Sequence, residues 1–194
     1  PAHVLRPRGH VEFSNVSFRY PGTDRLVLED VTFSAEPGET VAIVGPTGSG
    51  KTTLISLIPR VYDVTSGCVS VDGVDVSTLD PKELRALIGF VPQDPFLFSA
   101  TIEENIGLGL SGDEWSREER QTHDAPEGPM EDPDEVVAEA ARVAQLHESI
   151  QGFPQGWKTV LGERGINLSG GQKQRATLAR AVARDPKILI LDDA

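Results

Sequence analysis

The chain has 194 residues, with 18 Lys and Arg against 30 Asp and Glu and a formal charge of −12 at pH 7. That length builds one good-sized domain or at most two small ones, and 38% apolar with 25% charged residues excludes a disordered or fibrous chain. Strong acidity argues against a surface made to hold nucleic acid or anionic lipid, but not against a small cationic pocket for a phosphate. The charge is uneven: Ser111 to Glu135 carries ten acids and two bases, which leaves −4 for the rest. Cys68 is the only cysteine, so an intrachain disulfide and a CxxC metal site are excluded and a reducing compartment fits best. No apolar run approaches the ~20 residues that cross a bilayer, and no signal-peptide pattern opens the chain.

In chain order, Val11–Phe18 carries apolar residues at 11, 13, 16 and 18 with a phase slip at Ser14-Asn15, which predicts an antiparallel strand with a bulge. Pro21-Gly22 marks a turn and Val27–Ser34 a returning strand. Pro37-Gly38 introduces Thr40-Val41-Ala42-Ile43-Val44, an apolar run of the kind found in a buried parallel strand. A Gly-rich loop and an apolar helix from about Gly50 to Ile58 follow. Strands are predicted at Cys68–Val71 and Ile88–Val91, with a helix starting at Pro81 between them. The stretch 111–134 has Pro, Gly, Ser and no apolar period, and reads as an exposed loop. Glu135–Ile150 reads as one amphipathic helix and Gly170 to about Arg184 as another. Ile188-Leu189-Ile190-Leu191 is a buried-strand run ending in Asp192-Asp193.

Gly45-Pro46-Thr47-Gly48-Ser49-Gly50-Lys51-Thr52 matches GxxxxGK[ST] between a predicted strand and a predicted helix, the context this motif requires. Glycines let successive backbone N–H groups turn toward phosphates, Lys51 reaches the β- and γ-phosphates, and the Thr52 hydroxyl ligates Mg²⁺. Thr53 is a further candidate phosphate donor. Asp192, ending an apolar strand, supplies the acidic element expected beside a magnesium shell.

With these elements placed, the sequence resembles the nucleotide-binding domain of ATP-binding cassette (ABC) transporters of the exporter type. Leu168-Ser169-Gly170-Gly171-Gln172 resembles the family's signature motif, lying between the Walker A loop (residues 45–52) and the Walker B strand (188–192) and followed by Gln174-Arg175. Val91-Pro92-Gln93-Asp94 resembles the Q-loop, and Phe18-Arg19-Tyr20-Pro21 the aromatic loop that stacks on adenine. Leu161-Gly162-Glu163-Arg164-Gly165 resembles an exporter-specific segment. Each has a plainer reading: Tyr20 as a sheet-edge aromatic, Gln93 as a solvated amide, Glu163 and Arg164 as a surface ion pair, Ser169–Gly171 as a helix cap.

The resemblance implies an α/β fold, a P-loop NTPase (RecA-like) core with an antiparallel β subdomain and an inserted α-helical subdomain, truncated after the Walker B strand. Residues 1–94 would form the β subdomain and Walker A core, 95–168 the helical subdomain with its acidic loop, and 169–194 the signature helix and Walker B strand. It implies ATP and Mg²⁺, with Tyr20, the loop through Thr53, and Ser169, Gly170, Gly171 and Gln172 binding nucleotide. Thr52, Gln93 and Asp192 would hold the metal, and Lys51, Gln93 and Asp193 would act in catalysis. Partners would be a second nucleotide-binding domain, of a different subunit or of a second copy, and transmembrane domains, with no nucleic acid. The place would be the cytoplasmic face of the cell membrane.

Three departures qualify this. Asp193 stands where the family usually has the glutamate that orients the attacking water, as in degenerate sites of heterodimeric exporters. The four histidines, His3, His10, His123 and His147, all precede Walker B, so none can be the family's switch histidine. The acidic stretch 111–134 lies where the helical subdomain begins. A non-hydrolysing module, in which ATP only joins two chains, is the alternative. An ATPase of DNA repair would carry coiled-coil heptads, which are missing. An importer ATPase would lack the residues 161–165 pattern and Phe96-Leu97-Phe98.

Overall fold

The computed structural model describes residues 7–110, 135–162 and 168–193. They divide into two units, one up to Ile88 and one from Gly89.

In the first unit, β1 (Val11–Phe18), β2 (Leu28–Ala35), β3 (Ser66–Val71) and β4 (Val74–Asp75) form an antiparallel sheet in the order β2-β1-β3-β4. The predicted phase slip is real: β1 pairs Phe13 with Phe33 and then Val16 with Val31, the register shifting between them. Asn15, in the bulge, takes φ 50, and its amide donates to Asp30 at 2.9 Å. The shift keeps Val11, Phe13, Val16 and Phe18 all on the buried face. Gly67 passes so close to this bulge that a Cβ there would lie 2.3 Å from the Asn15 carbonyl oxygen, at φ +81, so only glycine fits.

Phe13 is fully buried and stacks on Phe33 with ring centroids 4.7 Å apart. Phe13→Ala is therefore expected to cost about 3–5 kcal/mol, by lost transfer energy and the cavity left behind. Urea unfolding checks this: a loss below ~1.5 kcal/mol would mean that the sheet face collapses around the gap.

Helix α1 (Lys51–Leu57) sets Leu54 and Leu57 into the core, and α2 (Pro81–Ala86) begins on Asp80, whose carboxylate accepts from the Lys82 and Glu83 N–H groups. One sequence expectation fails. Residues 40–44 form no strand: Val44 is 89% exposed, and Val41 and Ile43 are also exposed. An apolar run becomes a strand only by pairing its backbone, and among the described residues no strand pairs with it.

The second unit is built on β5 (Ile88–Val91) and β6 (Ile188–Leu191), which pair in a two-stranded sheet. Its helices are α3 (Ile102–Gly107), α4 (Glu135–Val143), α5 (His147–Gln151) and α6 (Gly170–Val182). They enclose Leu97, Ile106, Val137, Leu146, Ile150 and Ala179 in one apolar core. The single helix expected over 135–150 is two. Gln145 takes φ 55, its N–H bonds to the Arg142 carbonyl at 3.0 Å, and the Leu146 N–H reaches back to the Ala141 carbonyl at 2.8 Å. This left-handed stop turns Leu146 into the core, 1% exposed, while the apolar period runs through unbroken.

Arg180, on α6, donates Nε to the Asn105 carbonyl at 2.8 Å, one terminal nitrogen to the Phe96 carbonyl at 2.9 Å, and the other to Asn105 Oδ1 at 2.9 Å. Burial pushes its guanidinium below the ordinary arginine value.

Candidate functional site

The first unit carries the glycine loop. Ser49 N–H bonds to the Pro46 carbonyl at 3.2 Å, closing a turn, and Gly50 enters α1 at φ +92. A Cβ on Gly50 would meet Leu28 Cδ2 at 3.0 Å and the Val27 carbonyl at 3.2 Å, so both backbone angle and space demand glycine. Gly45, Pro46, Thr47, Gly48 and Ser49 are exposed. Over this loop arches Lys51, whose Nζ donates to the Gly45 carbonyl at 2.9 Å and the Pro46 carbonyl at 3.2 Å. It forms no ion pair among the described residues, so the cation rests on neutral oxygens that an anion can replace.

Thr52 is exposed in the first turn, while Thr53 is buried. The Thr53 hydroxyl lies 2.8 Å from the Tyr20 hydroxyl, which ties the aromatic loop to α1. Tyr20 also meets Phe18 and Tyr62 edge-on, with ring centroids 5.1 and 5.3 Å away. Beside them opens a cavity of 590 Å³ lined by Arg19, Tyr20, Tyr62, Asp63 and Thr65 among others. Tyr62 is the residue missed in the sequence. The signal was available: an aromatic just past the Pro59 helix stop, in the short link between that helix and the next predicted strand.

The second unit gathers the acidic part. Asp192 N–H bonds to the Val91 carbonyl at 2.9 Å, so the ends of β5 and β6 are joined where Gln93 leaves one and the two aspartates leave the other. Asp192 is buried and Asp193 exposed. The Gln93 amide stands 3.5 Å from Asp193 Oδ2, at the outer limit of a hydrogen bond. Among the described residues no cluster of three or more His, Cys, Asp and Glu could hold a metal unaided.

Ser169 caps α6. Its hydroxyl accepts from the Gln172 N–H at 3.3 Å, and Gln172 Oε1 accepts from the Ser169 N–H at 2.9 Å. A Cβ on Gly170 or Gly171 would meet nothing within 4 Å. Neither glycine has positive φ. Helical glycine costs up to about 1 kcal/mol relative to alanine, and packing among the described residues gives no reason for it. These residues leave bare backbone on an open face. Glu163 and Arg164 lie outside the described residues, as does 111–134.

Residues 28–194 match the family described as ABC transporter. The chain belongs to the ABC transporter family. Within it, the chain is an ATP-binding domain with an α/β P-loop NTPase fold. It is 49% identical over 189 residues to the ABC transporter ATP-binding protein YfiB of Bacillus subtilis (strain 168), covering 97% of this chain and 30% of that one. It is 48% identical to the mitochondrial potassium channel ATP-binding subunit of Homo sapiens, covering 96% of this chain and 23% of the relative. ATP-binding cassette sub-family B member 6 of Homo sapiens is 44% identical, with 96% and 20% covered. A bacterial Atm1-family ABC exporter with ATP bound superposes with a TM-score of 0.82 and 40% identity, over 99% of this chain and 30% of that chain. The ABC domain thus spans less than a third of the relatives it matches. No helix among its described residues is long and apolar enough to cross a membrane.

Proposed function

We propose that this ABC domain binds Mg·ATP on residues 45–52 and hydrolyses it in a head-to-tail pair with a second ABC domain. It would supply the energy of an exporter at the cytoplasmic face of a membrane, held there by transmembrane domains. The observation that carries this reading is the start of α6: a capped helix whose Gly170 and Gly171 leave main-chain N–H groups beneath open space. Such a surface suits a phosphate brought by another molecule.

The chemistry of the proposed residues suits the group. Lys51 offers an ammonium unpaired with any carboxylate among the described residues, and Thr52, Gln93 and Asp192 offer hard oxygen donors. One carboxylate with two neutral donors leaves coordination positions for phosphate oxygens and water, the arrangement magnesium favours. When bound, magnesium would neutralise charge on the β- and γ-phosphates. Lys51 would hold the same phosphates, and the Tyr20 ring would take the base. Gln93, leaving β5 beside the aspartates, would register the filled site. Asp193 would orient water with a carboxylate about 1 Å shorter in reach than glutamate, a displacement that costs roughly 10²-fold in rate. We therefore assign slow hydrolysis to this domain's own site, and assign its Ser169–Gly171 start to the faster site of a different partner subunit. Asp193 is also what favours the second reading, a domain in which ATP only joins two chains.

The test exchanges a glycine. Gly171→Ala is expected to stabilise the free domain by about 0.5 kcal/mol in thermal unfolding, since alanine is the better helix former. It is also expected to weaken ATP-dependent association, read by light scattering, by at least about ten-fold, because a methyl group enters the space the partner's phosphate needs. Unchanged association would remove the pairing face from α6. Association that persists without turnover, alone or mixed with the partner, would establish the second reading.

A further inference from the structure

The loop after Gln93 carries Phe96 and Phe98, both about half exposed and packed edge-on with ring centroids 4.9 Å apart. Exposed aromatics on a loop need support from behind, and here it comes from one residue of the signature helix. The Arg180 guanidinium lies 5.6 Å from the Phe98 ring centroid and holds the Phe96 carbonyl. Its other two bonds go to Asn105, which is fully buried. Asn105 in turn accepts from the Phe98 N–H at 2.8 Å and donates to the Phe98 and Thr101 carbonyls, each at 3.0 Å. Every one of these contacts lies within the second unit.

Arg180 has no carboxylate partner among the described residues, and a half-buried cation held only by neutral oxygens is a costly choice for packing alone. The backbone around it is also fixed: a Cβ on Gly109 would fall 2.0 Å from the Arg180 carbonyl, so α6 and the end of α3 approach main chain to main chain. Arg180 sits eleven residues beyond Ser169 on one continuous helix, about 16 Å along its axis.

We propose that Arg180 is a positioning residue that fixes the Phe96–Phe98 loop to the signature helix, so that displacement at the Ser169 end of α6 is delivered to the two aromatics. The strut itself stands on the bonds above, and its use in nucleotide-driven motion rests on the function proposed here. The planar fork is essential, because three donors reach three different oxygens while a ring lies against the guanidinium; lysine has the charge without the geometry.

The test places 4-fluorophenylalanine at position 98 of the full-length protein and reads its fluorine NMR signal. Without nucleotide, Arg180→Lys is expected to move the signal toward the solvent-exposed position, while a control label at Phe13 stays put. On addition of the magnesium complex of a non-hydrolysable ATP analogue, the wild-type signal shifts. In Arg180→Lys that shift is lost while the analogue binds with unchanged affinity. Asn105→Asp keeps the acceptor for Arg180 and the Phe98 N–H but removes the donors, and it should lose the shift too, which covers the case of an Arg180 variant that does not fold. An equal nucleotide shift in wild type and either folded variant overturns the coupling, as does a wild-type signal that ignores bound analogue. If wild type binds no analogue, the proposed function fails, while the nucleotide-free comparison still decides the strut.

Discussion

Lys51→Met is expected to weaken binding of Mg·ATP by at least about 10²-fold, measured by calorimetry on the folded domain. That factor is about 2.7 kcal/mol, the scale of one or two charge-assisted hydrogen bonds to phosphate. The structure makes the comparison clean. Lys51 bonds only to the carbonyls of Gly45 and Pro46, on an exposed loop where water replaces it at little cost. Methionine has similar length and good helix propensity, so unfolding free energy should stay within about 0.5 kcal/mol of wild type. A Kd within three-fold of wild type, on the order of 0.7 kcal/mol, would show that the loop main chain alone holds the phosphates.

Asp193→Glu is expected to raise hydrolysis at this domain's own site by about 10²-fold, read as steady-state turnover of a domain pair whose other, faster site is silenced, because the added methylene restores the reach of the water-orienting carboxylate. Asp193 is exposed, so the larger side chain meets no packing penalty. Its backbone stands at φ 50, where aspartate is tolerated better than glutamate, so the exchange should cost up to about 1 kcal/mol of stability. Faster turnover with slightly lower stability is thus the expected signature. Turnover unchanged in a pair that binds ATP normally would mean that Asp193 does not limit its site. The Gln93 amide, 3.5 Å from Asp193, gives a second readout: Gln93→Ala should lower turnover more in the Asp193→Glu background than in the wild type, since the longer carboxylate can close that gap.

What the sequence makes legible follows from whether the signal is local. The phase slip at Ser14-Asn15, the helix start at Pro81, the Ser169 cap and the glycine loop each depend on residues within a few positions, and each is readable. The stop at Gln145 is not, because the apolar period continues to Leu146 and Ile150. What ends α4 is the burial of Leu146 in a core assembled from distant segments. The strand expected at residues 40–44 fails for the complementary reason: the run has the composition of a buried strand, but pairing partners decide whether one forms. At the site, the nucleotide loop and the aspartates are legible as motifs. Tyr62, the Tyr20–Thr53 bond and the Arg180–Asn105 contacts join residues up to 75 positions apart, which no spacing rule encodes.

Gly170 and Gly171 also bear on how this domain could be engineered. Any campaign that ranks variants by heat resistance alone will favour alanine at both positions, since among the described residues nothing lies where a methyl group would strike. The products would be tougher proteins with an obstructed pairing face. At this helix start, melting temperature and usefulness are expected to run in opposite directions.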